Sequence, residues 1–312
     1  LGLFDFFKKP DPEVVARHQA AAERQADIRR AIGHNSVPEM TRKRLDGIQA
    51  RTLPWLATLT PAELLVMRSH GIRPISSVSA TCWLHYGFSW TTGHMQGWNS
   101  ALRRLSEEAK AAGANAVIDV KMRTVPLRIE QSMDFTLVGT AVKVDGLPPS
   151  GAPIISTVSA LEFAKLLDAD IIPVGIAVGA AYERRTDWSG RTRLTFMGNI
   201  ECLDLSRLWG EVRTRAMSEL RNSAQRQHGS VLAHVNFSQS FKIERDKQPP
   251  DFLFRHIIIG TVVDIAAEVA TKAMKDRGLD TGIVVDMHAG RTPLNGRVLH
   301  HQSYGSHEKG EI

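Results

Sequence analysis

Metal binding is the first chemistry that the residue types of this chain offer, since it carries 12 histidines and 2 cysteines among 312 residues. Imidazole and thiolate hold zinc, copper or nickel where three or four of them converge, and close spacing such as CxxC or HExxH is the usual sign. Neither motif occurs here, and there is no DxDxDG calcium loop. The histidines are dispersed, with His70, His85 and His94 in the first half and His228, His234 and His256 in the second. Asp119, His234 and His256 are the candidate ligands. His234 aligns with Asp119 on the polar side of a related strand, and in an assembly such positions would repeat around an axis and converge on an ion. The alternative for each is a polar residue at a surface or interface. His300, His301 and His307 in the tail can pick up transition metals adventitiously, as any exposed histidine cluster can.

Covalent and phosphate chemistry find less support. There is no GxSxG elbow, and Gly175-Ile-Ala-Val-Gly179 lacks both the Lys-Ser/Thr and the third glycine of a phosphate cradle. Cys82 and Cys202 do not match each other and read as small hydrophobes. Trp83, Trp90, Trp98, Trp188 and Trp209 gather around two loops, where they would form either a ligand surface or the packing beneath a long loop. The expectation is a protein that is not an enzyme and holds no cofactor beyond a possible metal ion.

The elements that would position these residues come from an internal repeat. Ala101–Met122 aligns with Ala216–Phe237, so that Ala101 meets Ala216, Leu105 meets Leu220, Ala109 meets Ala224 and Val120 meets Val235. Leu137-Val-Gly-Thr-Ala-Val142 matches Ile258-Ile-Gly-Thr-Val-Val263, and Gly71-Ile-Arg-Pro74 matches Asp170-Ile-Ile-Pro173. Three blocks in one order predict a tandem duplication. Within each copy an apolar run (75–86; 174–182) precedes a polar loop (87–97; 183–210) and a helix with its apolar residues three and four apart. Gly113 and Gly229 stand where a left-handed residue can close that helix. Alternation at Ile118, Val120 and Met122, and at Ala233, Val235 and Phe237, marks a strand with one buried face. A final strand (135–144; 256–265) completes a β-α-β-β unit. A three-stranded unit of this kind leaves a sheet face and two edges to be covered. The nearly continuous apolar runs 171–181 and 254–265 read as buried on both faces.

Flanking signals set the boundaries. Asp11-Pro12 caps a helix in an arm rich in Ala, Arg, Glu and Gln, while Thr60-Pro-Ala-Glu63 and Ser159-Ala-Leu-Glu162 read as capping boxes. The organisation expected is a helical arm (1–60), a first repeat (61–147), a linker (148–157), a second repeat (158–268) and a helix and tail (269–312). The net charge of +6 comes from basic residues interleaved with acids, which suits a solvated surface better than a nucleic-acid footprint. No apolar run approaches the roughly 18 residues of a membrane span, so no membrane span and a cytoplasmic location are expected. Leu3, Phe4, Phe6 and Phe7 are too apolar for a free tail; they should dock on this chain, a second subunit, a membrane surface or a protein partner.

The string ending Ala-Ala-Gly113-Ala-Asn-Ala-Val-Ile-Asp119-Val, followed by Gly139-Thr-Ala-Val-Lys143, resembles the YbjQ-like family of heavy-metal-binding description. Asn115 stands where that family commonly has Asp, and the second copy, around Gln227-His-Gly229-Ser-Val-Leu-Ala, is a distant version. The resemblance implies an α+β fold of two tandem dodecin-like β-α-β-β repeats and a homo-oligomer built from a multiple of five chains. Five chains, each giving one copy to each of two stacked rings, is the specific expectation. Pairing of the two copies within one monomer is the alternative. The function expected is a self-assembling scaffold, with a metal-ion or small-ligand binder as the competing class.

Overall fold

Two β-rich stretches, each interrupted by one long helix, form two sheets in this computed structural model. The structure describes residues 12–85, 89–126, 132–169, 171–187, 201–245 and 248–264. Leu3, Phe4, Phe6, Phe7, Asp11 and the tail beyond residue 264 lie outside the described residues, as do the side chains of 125–126, 233–245, 248 and 250.

The arm forms helices α1 (Pro12–Gly33) and α2 (Glu39–Gln49). The first half then runs α3 (Pro61–Ser69), β1 (Ile72–His85), α4 (Trp90–Ala111), β2 (Ala116–Pro126) and β3 (Ser132–Val144). β4 (Ile154–Ile155) lies within the expected linker, and α5 (Ala160–Asp168), β5 (Ile172–Thr186), α6 (Leu203–Gln225), β6 (Ser230–Arg245) and β7 (Gln248–Asp264) follow it. Both expected capping boxes form. The Thr60 and Ser159 hydroxyls accept from the backbone of Glu63 and Glu162, whose carboxylates reach back to the cap N–H groups.

The first sheet has the order β1-β3-β2-β4 and the second β5-β7-β6, so both are α+β units with the last strand central. Their irregularities coincide. The ladder β1/β3 slips between Pro74 and Ser76, and β5/β7 slips between Pro173 and Gly175. Proline has no N–H to give a ladder, so a strand that contains it bulges there. Trp98, Ala101, Leu105 and Ala109 bury one stripe of α4 against the first sheet, and Leu208, Val212, Ala216, Leu220 and Ala224 do the same for α6 on the second.

Three expectations need correction. Residues 87–97 and 183–210 are not simply loops, because α4 begins at Trp90, β5 runs to Thr186 and α6 contains Trp209 and Gly210. Gly93 and Gly97 read as loop residues but lie inside α4, where a Cβ on Gly97 would stand 2.2 Å from the Phe135 ring. Gly113 closes α4 at φ +73°, yet the left-handed residue after α6 is His228 at φ +55°, not Gly229. Gly229 serves close approach instead, since a Cβ there would meet Val263 O at 2.7 Å.

The halves share a core. Ile176, Val178, Ala180, Tyr182, Ile257 and Ile259 cover the face of the second sheet opposite α6, and they join one apolar cluster with α4 and the first sheet. β5 is therefore buried on both faces over its middle, as its unbroken apolar run requires. Among the described residues no helix is long and apolar enough to cross a membrane.

Candidate functional site

Asp119 sits at the slip in β2, between Ile118 and Lys121, with φ +53°. This left-handed turn carries its N–H out of the ladder toward the Val158 carbonyl at 2.9 Å. Its buried carboxylate accepts from Lys121 Nζ at 2.7 Å and from the Thr58 hydroxyl at 3.3 Å. Burial raises the Asp119 pKa above the usual carboxylate range, and Lys121 acts against that rise. The oxygens are already spent on an ammonium and a hydroxyl, which is the environment of a structural latch.

Thr58 also donates its N–H to Thr140 Oγ1 at 2.9 Å, and the two hydroxyls lie 2.9 Å apart. The second half repeats this pair. Thr157 N–H reaches Thr261 Oγ1 at 3.0 Å, again with the hydroxyls 2.9 Å apart. Both Thr140 and Thr261 are fully buried on strands next to a glycine. Sequence reasoning matched Thr140 with Thr261 but overlooked their partners. The signal was available in Pro54/Pro153, Thr58/Thr157 and Glu63/Glu162, which share one constant spacing of 99 residues.

Replacing Thr261 by Val keeps the shape but strands the Thr157 N–H. The expected loss is about 1–3 kcal/mol of stability by urea unfolding. A loss under about 0.5 kcal/mol would show that the latch is dispensable.

Asp119 and His256 stand in different sheets, on β2 and β7. With Thr140 and Thr261 in register, Lys121 opposite Val138 corresponds to Val235 opposite Ile259. Asp119 therefore corresponds to Ala233, and His234 to Val120, one residue away from the expected equivalence. The side chain of His234 lies outside the described residues. His256 is buried on β7 at the place that Phe135 takes on β3, and burial together with the positive charge of Arg213 lowers its pKa. Among the described residues no group of three His, Cys, Asp or Glu side chains could hold a metal ion.

His94 is the polar centre that sequence reasoning missed. It is fully buried on α4 and accepts from Trp98 Nε1 through Nε2 at 2.8 Å. Its other nitrogen, Nδ1, must then carry the proton, and it lies 2.9 Å from the Tyr182 hydroxyl on the second sheet. Phe135 and Trp98 enclose the ring edge-on, with centroids 5.1 and 5.9 Å away. Burial lowers its pKa to about 3, helped by the charge of Arg255. Trp90 and Trp98 thus belong to packing between the halves rather than to an open ligand surface, and Trp188 lies outside the described residues.

The arm is held by charge. Arg44 on α2 pairs with Glu108 on α4 and donates to the Ser77 carbonyl at 3.3 Å. Arg104 donates to the Thr81 carbonyl, and Glu108 accepts from the Ser79 backbone. The outer edge of β1 is thereby occupied by side chains, one way to protect a sheet border.

Residues 88–145 match a protein-family model, YbjQ_1, described as "Putative heavy-metal-binding". The match runs through α4, β2 and β3 and does not extend to the second half. No curated protein and no solved structure matches the chain.

Proposed function

We propose that this chain is a non-enzymatic, self-assembling structural protein. In this reading it consists of two tandem YbjQ-like β-α-β-β units that associate head to tail into a ring. The observation that carries it is an asymmetry between the halves. The second half covers the outer edge of β2 with β4 and packs its sheet on α4, so the first unit is completed within the chain. The β6 edge, at the matching place of the second unit, has no strand beside it among the described residues. Common bulges, common capping boxes and the repeated threonine pair support a duplication.

A contact of one surface with a different surface propagates until it closes. That favours halves alternating around the assembly over two stacked rings holding one half of each chain apiece. Five chains, the smallest stoichiometry that the resemblance implies, then place ten alternating halves in the ring, and the arm of residues 1–60 offers a site for a protein partner. Native mass spectrometry of the full chain should give one dominant species of that kind. A monomer at tens of micromolar would overturn the reading.

The family description favours a second reading, a metal ion held where chains meet. Elemental analysis of tag-free protein after dialysis should then find a stoichiometric ion, and a metal content near zero would remove this reading.

A further inference from the structure

We infer that residues 55–58 of one chain add as a parallel strand to the outer edge of β6 in a second copy of the same chain. This names the contact behind the assembly reading above and rests on it.

The chain itself shows what covers such an edge. Ile154 and Ile155 pair in parallel with Ala116 and Val117. Four backbone hydrogen bonds fix the segment: Ile154 N–H to Asn115 O, Ser156 N–H to Val117 O, Asp119 N–H to Val158 O and Val120 N–H to Ser156 O, at 2.9–3.1 Å. Two residues past Ile155, Thr157 is latched to Thr261, and Ser159 then caps α5. The same string precedes the first half: Pro54-Trp-Leu-Ala-Thr58-Leu-Thr60 stands against Pro153-Ile-Ile-Ser-Thr157-Val-Ser159. Thr58 is latched to Thr140 with the same geometry, so the backbone just before it is held in the corresponding pose.

What differs is the cover. Ile155 is 9% exposed and Ala164 on α5 1%, while Leu56 and Leu65 at the matching positions are 65% and 71% exposed. Trp55, at the place of Ile154, is 49% exposed. On the receiving side Val117 and Ile118 are fully buried, whereas the corresponding Val231 and Leu232 are only half-buried. Among the described residues, segment 55–58 has no strand beside it and neither has the outer edge of β6, and the two lie on opposite halves of one chain. Their registers match: Leu56 falls opposite Val231, as Ile155 does opposite Val117. Strand addition of this kind derives its affinity from main-chain hydrogen bonds and its specificity from the apolar side chains alongside.

The test uses the full chain with Cys82→Ala and Cys202→Ser as background. L56C and V231C are made as separate proteins, mixed and treated with a short bis-maleimide. The expected product is a covalent dimer that needs both variants; no such dimer, in protein that native mass spectrometry shows to be assembled, would overturn the contact while leaving assembly standing. In the L56C/V231C double variant at high dilution, linkage within single chains would overturn it equally. A57P removes the N–H that would donate to Val231 O, and it should lower the oligomer to monomer with an unchanged circular dichroism spectrum. Retention of the oligomer by A57P would sink the contact, and a monomeric background protein would sink both this contact and the reading beneath it.

Discussion

Acidification from pH 7 to pH 4 should cost this protein roughly 3 kcal/mol through His94 alone, and about 4–5 kcal/mol once pH falls below 3. The folded pKa of about 3 lies below the unfolded value of 6.5. The unfolded state therefore binds the proton first, and stability that is full above pH 6.5 drains away as pH falls toward 3. The structural cause is specific: the ring is fully buried among Phe135, Trp98 and Tyr182, which penalises its charged form, and the positive charge of Arg255 acts in the same direction. H94Q, which can accept from Trp98 and stay neutral, should flatten the stability curve between pH 6.5 and 4 relative to wild type. Urea midpoints measured at half-unit pH steps would decide it. Parallel curves for the two proteins would remove His94 as the acid-sensitive group.

Gly179→Val should be at least as damaging, with an expected loss of about 3 kcal/mol or more. A Cβ on Gly179 would lie 2.1 Å from the Ala216 carbonyl oxygen and 2.7 Å from the Leu220 nitrogen. Those atoms are helix backbone, so α6 would have to lift from its sheet and open the cluster around Ala177, Leu220 and Ile258. The first half supplies the control. Ala80 holds the matching place on β1 under α4, so A80G should cost only about 1 kcal/mol. Urea unfolding of both variants gives the comparison, and a near-neutral Gly179→Val would mean that α6 does not approach β5 this closely.

Much of the architecture was legible because its causes are local. Capping at Thr60 and Ser159 depends on residues three apart, and the helix stripes depend on spacings of three and four; both are present in the string itself. The unbroken apolar run of β5 states that both its faces are buried. The alternation of β2 suggested one buried face, whereas residues 116–120 are in fact buried throughout, with Ile118 and Val120 in different clusters because the bulge at Asp119 separates them. The matched blocks gave the element order of both halves. The start of α4 was misread because glycine spacing has two causes, a turn or a close neighbour, and only Phe135 across the sheet tells them apart. The register of Asp119 against His234 slipped by one for a similar reason: a bulge adds a residue on one strand, and only the ladder partner reveals where.

The candidate site was the least legible part. Asp119 looked like an ion ligand because carboxylates on polar strand faces are usually open to solvent; here Lys121 and a threonine 61 residues away occupy it. His94 carried no motif at all, because its burial depends on a second sheet that arrives 88 residues later in the chain. By itself, then, the amino-acid order determined most of the elements and the order in which they follow one another along the chain. Tertiary structure alone decided which polar groups are buried, which glycines are contacts and which edges are covered, because these depend on distances between segments far apart along the chain.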